Sequence, residues 1–244
     1  RSTMLQADYA VNTINMAISA LKGVMKTAFN LELIDADQLG RISAIKPVRG
    51  NTTKRSGRML SPEEIAALVS VCDARSDSVS TRNKALLLIA LSTGLRCAEL
   101  CALKIADVDL PNQRLLVANG KGRMQRVVYL NEHASKAIEG WLAARGEAPG
   151  PLFVRMHRGA NLSTEPLTAN GIVHILNYLR QRANVKAFSP HDLRRTFISL
   201  LLDQNIDLNT VRRAAGHSDI STTIRYDKRN ESSNQSKLSR LSFG

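Results

Sequence analysis

Between Ala10 and Phe29 the apolar residues Val11, Ile14, Ala17, Ile18, Leu21, Val24, Met25 and Ala28 recur at steps of three and four. That is the period of a helix with one apolar face. A shorter helical pattern follows, and then the patterning stops. The stretch Lys46-Pro47-Val48-Arg49-Gly50-Asn51-Thr52-Thr53-Lys54-Arg55-Ser56-Gly57-Arg58 carries five basic residues and almost nothing to bury, so it reads as an interdomain linker. The pattern therefore divides the chain into a small helical segment over 1–46, a basic linker over 47–59 and a larger domain over 60–244.

The larger domain opens with a strong helix start. Ser61 is placed to cap, Pro62 suits the first helical position, and Glu64 completes a capping box. The apolar run Ala85 to Leu91 predicts a buried helix that Gly94 interrupts. Arg114 to Ala118 and Arg126 to Leu130 have strand-like content, with Asn119-Gly120-Lys121-Gly122 as the turn between them. After Pro166 helical patterns return over Gly171 to Arg182, Asp192 to Leu202 and Asn209 to Ala215. There is no internal repeat. The fold class expected is mainly α with a small antiparallel β-sheet.

Composition narrows the partner. The 244 residues hold Lys+Arg 34 against Asp+Glu 21, a formal charge of +13, and an excess of this size favours a polyanion. Aromatic content of 4% argues against a surface that stacks unpaired bases, which makes a duplex backbone the better target. Cys72, Cys97 and Cys101 form no C-x-x-C pair and have no histidines at finger spacing, so they read as free thiols of a reducing compartment. Nothing resembles a signal peptide or a membrane span, and a cytoplasmic protein is expected.

Chemistry concentrates in a few polar residues. Arg96 follows the Gly94 break at the start of a helix, where free N–H groups favour an anion, and Glu99 one turn later is placed to orient its guanidinium. The plainer reading is a surface ion pair. In Ser189-Pro190-His191-Asp192-Leu193-Arg194-Arg195, Ser189 and Pro190 start another helix. His191 then shares a face with Arg194, and equally with Arg195. A histidine in a first turn is held neutral by the helix dipole. Gly216 looks like a helix C-terminal cap that presents His217 beyond it. Tyr226 lies in a polar segment where a tyrosine need not serve the core, though packing is an open alternative for it, whereas Tyr9, Tyr129 and Tyr178 lie in patterned elements and read as packing residues.

Taken in order, these residues resemble the tyrosine recombinases of the phage integrase family. Thr93-Gly94-Leu95-Arg96-x-x-Glu99-Leu100 is similar to the family's first arginine box, and His191-x-x-Arg194, Gly216-His217 and Tyr226 to its C-terminal signature. Gly120-Lys121-Gly122 resembles the catalytic-lysine loop, which picks Lys121 over Lys104 or Lys136. On the same likeness Arg194 is preferred to Arg195. The resemblance covers Leu60 to Asp227. Arg1 to Lys46 resembles only the later helices of the family's core-binding domain, so a partial domain is expected there.

The resemblance implies that Tyr226 attacks a scissile phosphate to give a 3′-phosphotyrosyl link and a free 5′-hydroxyl. Arg96 and Arg194 would hold the non-bridging oxygens, His217 would add a hydrogen bond, Lys121 would protonate the leaving oxygen, and His191 would help take the tyrosine proton. Glu99 would organise Arg96. No metal or nucleotide is implied, because cations of the chain itself take the charge. The implied partner is double-stranded DNA, bound by a homo-oligomer, a tetramer. A type IB topoisomerase shares this chemistry, and a silent DNA-binding regulator would share the charge. The apolar cluster Leu238, Leu241 and Phe243 after a polar stretch suggests that the tail docks on a surface.

Overall fold

The computed structural model describes residues 2–49, 57–118, 125–157, 159, 161–217, 219–224 and 226. The chain divides into two compact units, Arg1–Ser56 and Gly57–Gly244.

In the first unit α1 (Ser2–Gln6), α2 (Val11–Asn30) and α3 (Ala36–Ser43) gather a small cluster of Ile14, Ile18 and Val48, with Met4, Val11 and Ile45 against it. Asn15 pins the chain after α3 to α2. Its carboxamide accepts from the Val48 N–H at 2.7 Å and donates to the Val48 carbonyl at 3.1 Å. The apolar stripe read along α2 is covered only at its N-terminal end, since Leu21 and Val24 are exposed.

The second unit runs α4 (Pro62–Asp73), α5 (Ser78–Thr93), α6 (Cys97–Ala102), a short 3₁₀ turn, β1 (Val108–Asp109), β2 (Arg114–Ala118), β3 (Gln125–Tyr129), α7 (Glu132–Arg145), β4 (Val154–Met156), β5 (Leu162–Pro166), α8 (Ala169–Arg182), α9 (Pro190–Asp203), α10 (Leu208–Ala215) and α11 (Ile220–Ile224). The three-stranded sheet has the order β1-β2-β3 and is antiparallel, and β4 and β5 form a separate antiparallel pair. The architecture is the expected one, mainly helical with small antiparallel sheets. Among the described residues no helix is long and apolar enough to cross a membrane.

α5 is the central helix, packed by α4, α7 and α9 and buried over most of its surface from Ser80 to Thr93, with Thr81, Lys84, Leu88 and Leu91 on a partly covered face. It starts well before the apolar run because Asp77 caps it at Ser80 N–H, at 2.8 Å, and because Ser80, Arg82 and Asn83 are buried polar residues that break the apolar pattern. α7 is legible only weakly in the sequence, since small residues, Ala134 and Ala137, fill much of its buried face. Its Trp141 is fully buried and donates through Nε1 to the Leu152 carbonyl at 2.8 Å.

Three residues of the sequence-predicted linker, Gly57 to Met59, belong to the second unit. Arg58 donates to Glu64, Lys186 O and Ala187 O, and its own N–H to Asp192 Oδ1 at 2.8 Å. Leu60 N–H then bonds Thr196 Oγ1 at 2.9 Å. The entering strand is thereby tied to the first turns of α9. The predicted turn at Asn119 to Gly122 and the tail cluster lie outside the described residues.

Trp141→Phe tests how the core is held. It removes the donor to a buried carbonyl and leaves a small void, so the variant should lose about 2–3 kcal/mol in urea unfolding without a change in fold.

Candidate active site

Two glycines at helix ends set the geometry. α5 ends at Gly94, in the left-handed region at φ 60°, and α10 ends at Gly216, at φ 66°. Both positions favour glycine on conformation, and both are also closed to a side chain. A Cβ on Gly94 would overlap the Phe197 ring, and one on Gly216 would come within 2.7 Å of the Arg126 guanidinium carbon. Each carbonyl then holds an arginine of the predicted set. Gly94 O accepts from Arg194 Nη1 at 2.7 Å, and Gly216 O accepts from Arg96 Nη2 at 3.0 Å.

Arg96 caps α6, and Glu99, three residues on, accepts its N–H at 2.7 Å and its Nη1 at 3.2 Å. The expected Arg96–Glu99 pairing is present, yet the stronger partner of Glu99 is a residue that the sequence reading missed. Arg126 on β3 grips the carboxylate with both nitrogens, Nη1 to Oε1 at 2.8 Å and Nη2 to Oε2 at 3.0 Å. Burial raises the Glu99 pKa, but hydrogen bonds from Arg126 and from the Arg96 N–H, with both positive charges, outweigh it and hold the group below its ordinary value. A sequence signal for Arg126 existed. It alternates with the buried Val128 and Leu130, so the pleat turns its side chain inward.

α9 carries the second half of the site. The Asp192 carboxylate accepts the Ser189 N–H and hydroxyl, both at 2.8 Å, which fixes the helix start. Arg194 is only 3% exposed; burial first, then the charge of Arg96, lowers its pKa to about 10, so it stays a cation at neutral pH. Its Nη2 is buried with no hydrogen-bond partner among the described residues. Such an orphan donor costs free energy unless an acceptor arrives.

Arg194 and Arg195 go to different places. Arg194 turns to Gly94, whereas the Arg195 guanidinium carbon lies 4.9 Å from the centroid of the Tyr226 ring.

Tyr226 differs from its sequence reading. Only 8% exposed, its ring closes a cluster of Phe197, Ile198, Leu202, Val211 and Ala215. Tyr9, Tyr129 and Tyr178, read as packing residues, are the exposed ones, Tyr129 by 73%. The local polarity around Tyr226 was misleading because the apolar surface it meets comes from α9 and α10. Its hydroxyl remains polar-paired, 3.1 Å from His191 Nε2.

His217, 6% exposed, bonds Thr223 Oγ1 through Nδ1 at 2.9 Å and lies near-parallel to the Tyr226 ring, centroids 6.1 Å apart. Burial, then the charges of Arg194 and Arg96, pulls its pKa to about 4. His191 is also held below its ordinary value, by partial burial first and then by the charges of Arg194 and Arg195. Both rings are thus neutral at pH 7. Five of the predicted residues, Arg96, His191, Arg194, His217 and Tyr226, are brought together with Glu99; Lys121 lies outside the described residues.

The pattern of the phage integrase family matches residues 58–233. A tyrosine recombinase XerD of Halalkalibacterium halodurans is 32% identical over 221 residues, covering 89% of this chain and 71% of that protein. A tyrosine recombinase XerC of Bacillus subtilis is 34% identical over 222 residues, covering 88% and 69%. Among solved structures, a XerA recombinase superposes with a TM-score of 0.62 at 25% identity, over 98% of this chain and 80% of that one. The Tn1549 transposon integrase, in complex with a circular intermediate DNA, gives 0.76 at 21% identity over 98% and 82%, which shows the fold. With sequence, fold and the gathered arginines, histidines and tyrosine in agreement, the chain belongs to the phage integrase family: it is a tyrosine recombinase, an enzyme that breaks and rejoins DNA strands.

Proposed function

We propose that Tyr226 is the nucleophile and that Arg96, Arg194 and His217 receive the scissile phosphate of duplex DNA. The observation that carries this reading is the tyrosine hydroxyl, 3.1 Å from a neutral histidine nitrogen, beside a buried guanidinium with an unused donor. His191 Nε2 accepts the phenolic proton as the oxygen attacks phosphorus. A 3′-phosphotyrosyl link forms and the 5′-oxygen leaves with a proton from Lys121, a role that rests on the family resemblance. Arg194 Nη2 and the Arg96 fork donate to the non-bridging oxygens, whose charge grows in the transition state. Both arginines are held by main-chain carbonyls, so they are oriented before substrate arrives.

The net charge of +13 supports a polyanionic partner, and the DNA-bound Tn1549 integrase supports duplex DNA. Strand exchange between two duplexes cuts four strands with one tyrosine each, so a homotetramer on DNA is the assembly we propose. The segment over 1–46, within the first unit, is proposed as part of a core-binding domain. No observation favours a type IB topoisomerase or a silent regulator.

Tyr226→Phe should bind duplex DNA normally and form no detergent-resistant adduct, while the parent protein forms adduct undiminished in excess EDTA. An adduct in the variant, mapped to another residue, would overturn the assignment.

Lys121→Ala should slow cleavage by about 10²- to 10⁴-fold on ordinary DNA. A substrate with sulfur at the bridging 5′ position should restore most of the rate, because a thiolate leaves unprotonated. Arg96→Ala and Arg194→Ala should gain nothing from that substrate.

Neutral His217 also sets a pH dependence. Its folded pKa, about 4, is below the ordinary 6.5, so as pH falls through 6.5 the unfolded chain takes the proton first. Stability is full above that point and falls toward pH 4. His217→Gln should flatten this part of the melting-temperature profile of the DNA-free protein; an unchanged profile would mean that His217 is not the group titrating.

A further inference from the structure

We propose that Arg195 is a positioning residue for the nucleophile: its guanidinium, laid over the Tyr226 ring, holds the tyrosine with its hydroxyl on His191. The inference rests on the reading of Tyr226 as nucleophile and adds a function for a residue that the site has not used.

Tyr226 needs such a hold. It lies past the end of α11 at Ile224, and among the described residues its backbone N–H bonds Thr223 O at 3.0 Å. The hydrogen bond from the hydroxyl to His191 fixes one end of a ring that the apolar cluster and His217 already confine. His191 and Arg195 are four apart on α9 and share a face, so the helix presents a nitrogen to the hydroxyl and a cation to the ring, 4.9 Å from its centroid. Two contacts from one rigid helix fix both the position and the rotation of the ring.

Arg195 is arranged for this contact rather than for an ion pair. Among the described residues no carboxylate pairs with it, and its Nε is buried without a hydrogen-bond partner. What confines it is backbone. A Cβ on Gly57 would come within 2.8 Å of Arg195 Nε, 3.1 Å of its Nη2 and 2.8 Å of Asp192 Oδ1. That stretch of backbone is itself held by the Arg58 N–H on Asp192 Oδ1, at 2.8 Å. A side chain at position 57 would press on the guanidinium and on the Asp192 carboxylate together.

The test is single-turnover adduct formation at saturating duplex DNA, with DNA affinity measured separately. Arg195→Met keeps length and apolar packing but loses the cation; it should slow adduct formation about ten- to thirtyfold with affinity close to the parent's. Arg195→Lys should recover most of the rate, which a purely space-filling role would not require. Gly57→Ala should slow the parent protein more than it slows the Arg195→Met variant, because the part of its effect that passes through the guanidinium, as opposed to the Asp192 carboxylate, is already gone in that background.

Should Arg195→Met melt early, Arg195→Lys and Gly57→Ala still decide the matter. An unchanged rate in Arg195→Met, or additive effects of the two substitutions, would overturn the proposal. So would a loss confined to affinity with a shallower salt dependence, which marks a phosphate contact. Tyr226→Phe, run alongside, separates the two levels: adduct in that variant defeats the nucleophile assignment itself, whereas its absence leaves that assignment standing whatever Arg195 does.

Discussion

Guanidiniums repel one another, and the site brings Arg96, Arg126 and Arg194 close enough for each charge to bear on Arg194 or its neighbours. The carboxylate of Glu99 is what makes this tolerable. Its side chain is 12% exposed and that of Arg126 13%, so the two form a nearly buried pair. Removing one member of such a pair costs about 3–5 kcal/mol, because the other charge stays behind unpaired. The division of labour follows from geometry. Arg126 takes both carboxylate oxygens, which leaves Arg96 a longer 3.2 Å contact, a main-chain anchor and a half-exposed guanidinium. The arginine most firmly neutralised is the structural one, and the less neutralised one is available for an anion.

The same positive field explains the histidines. His217 and His191 lie among arginines in a partly dehydrated pocket, and each further positive charge there would be unfavourable. They remain neutral in the DNA-free protein and can therefore accept as well as donate. A phosphate entering the site would bring compensating negative charge and meet donors already aimed. Preorganisation of this kind spares the reaction the cost of turning solvent dipoles at the moment charge develops.

The tyrosine is held differently from the arginines. Helix ends and main-chain carbonyls fix Arg96 and Arg194, whereas Tyr226 is located by side chains: the apolar cluster, His217, His191 and Arg195. Side-chain grips are weaker and more readily rearranged than main-chain ones. A nucleophile that must later leave the phosphate, the role proposed for Tyr226, has use for that difference.

Much of this was legible along the chain. Capping at Ser61, the left-handed ends at Gly94 and Gly216, the start of α9 and the strand pairing all depend on residues a few positions apart, and local rules read them. The order of the arginine and histidine boxes carried the family. Three matters were decided only by tertiary structure. Tyr226 is buried although its own segment is polar, because α9 and α10 supply the apolar surface. Arg126 is the main partner of Glu99, a pairing across 27 positions that no local spacing encodes. Arg194 and Arg195, equivalent on a helical wheel, part company because one meets the carbonyl of Gly94 and the other meets a ring 31 positions later in the chain. Local sequence determines which way a backbone turns, while the identity of a buried side chain's neighbours depends on packing between segments that are distant in the chain.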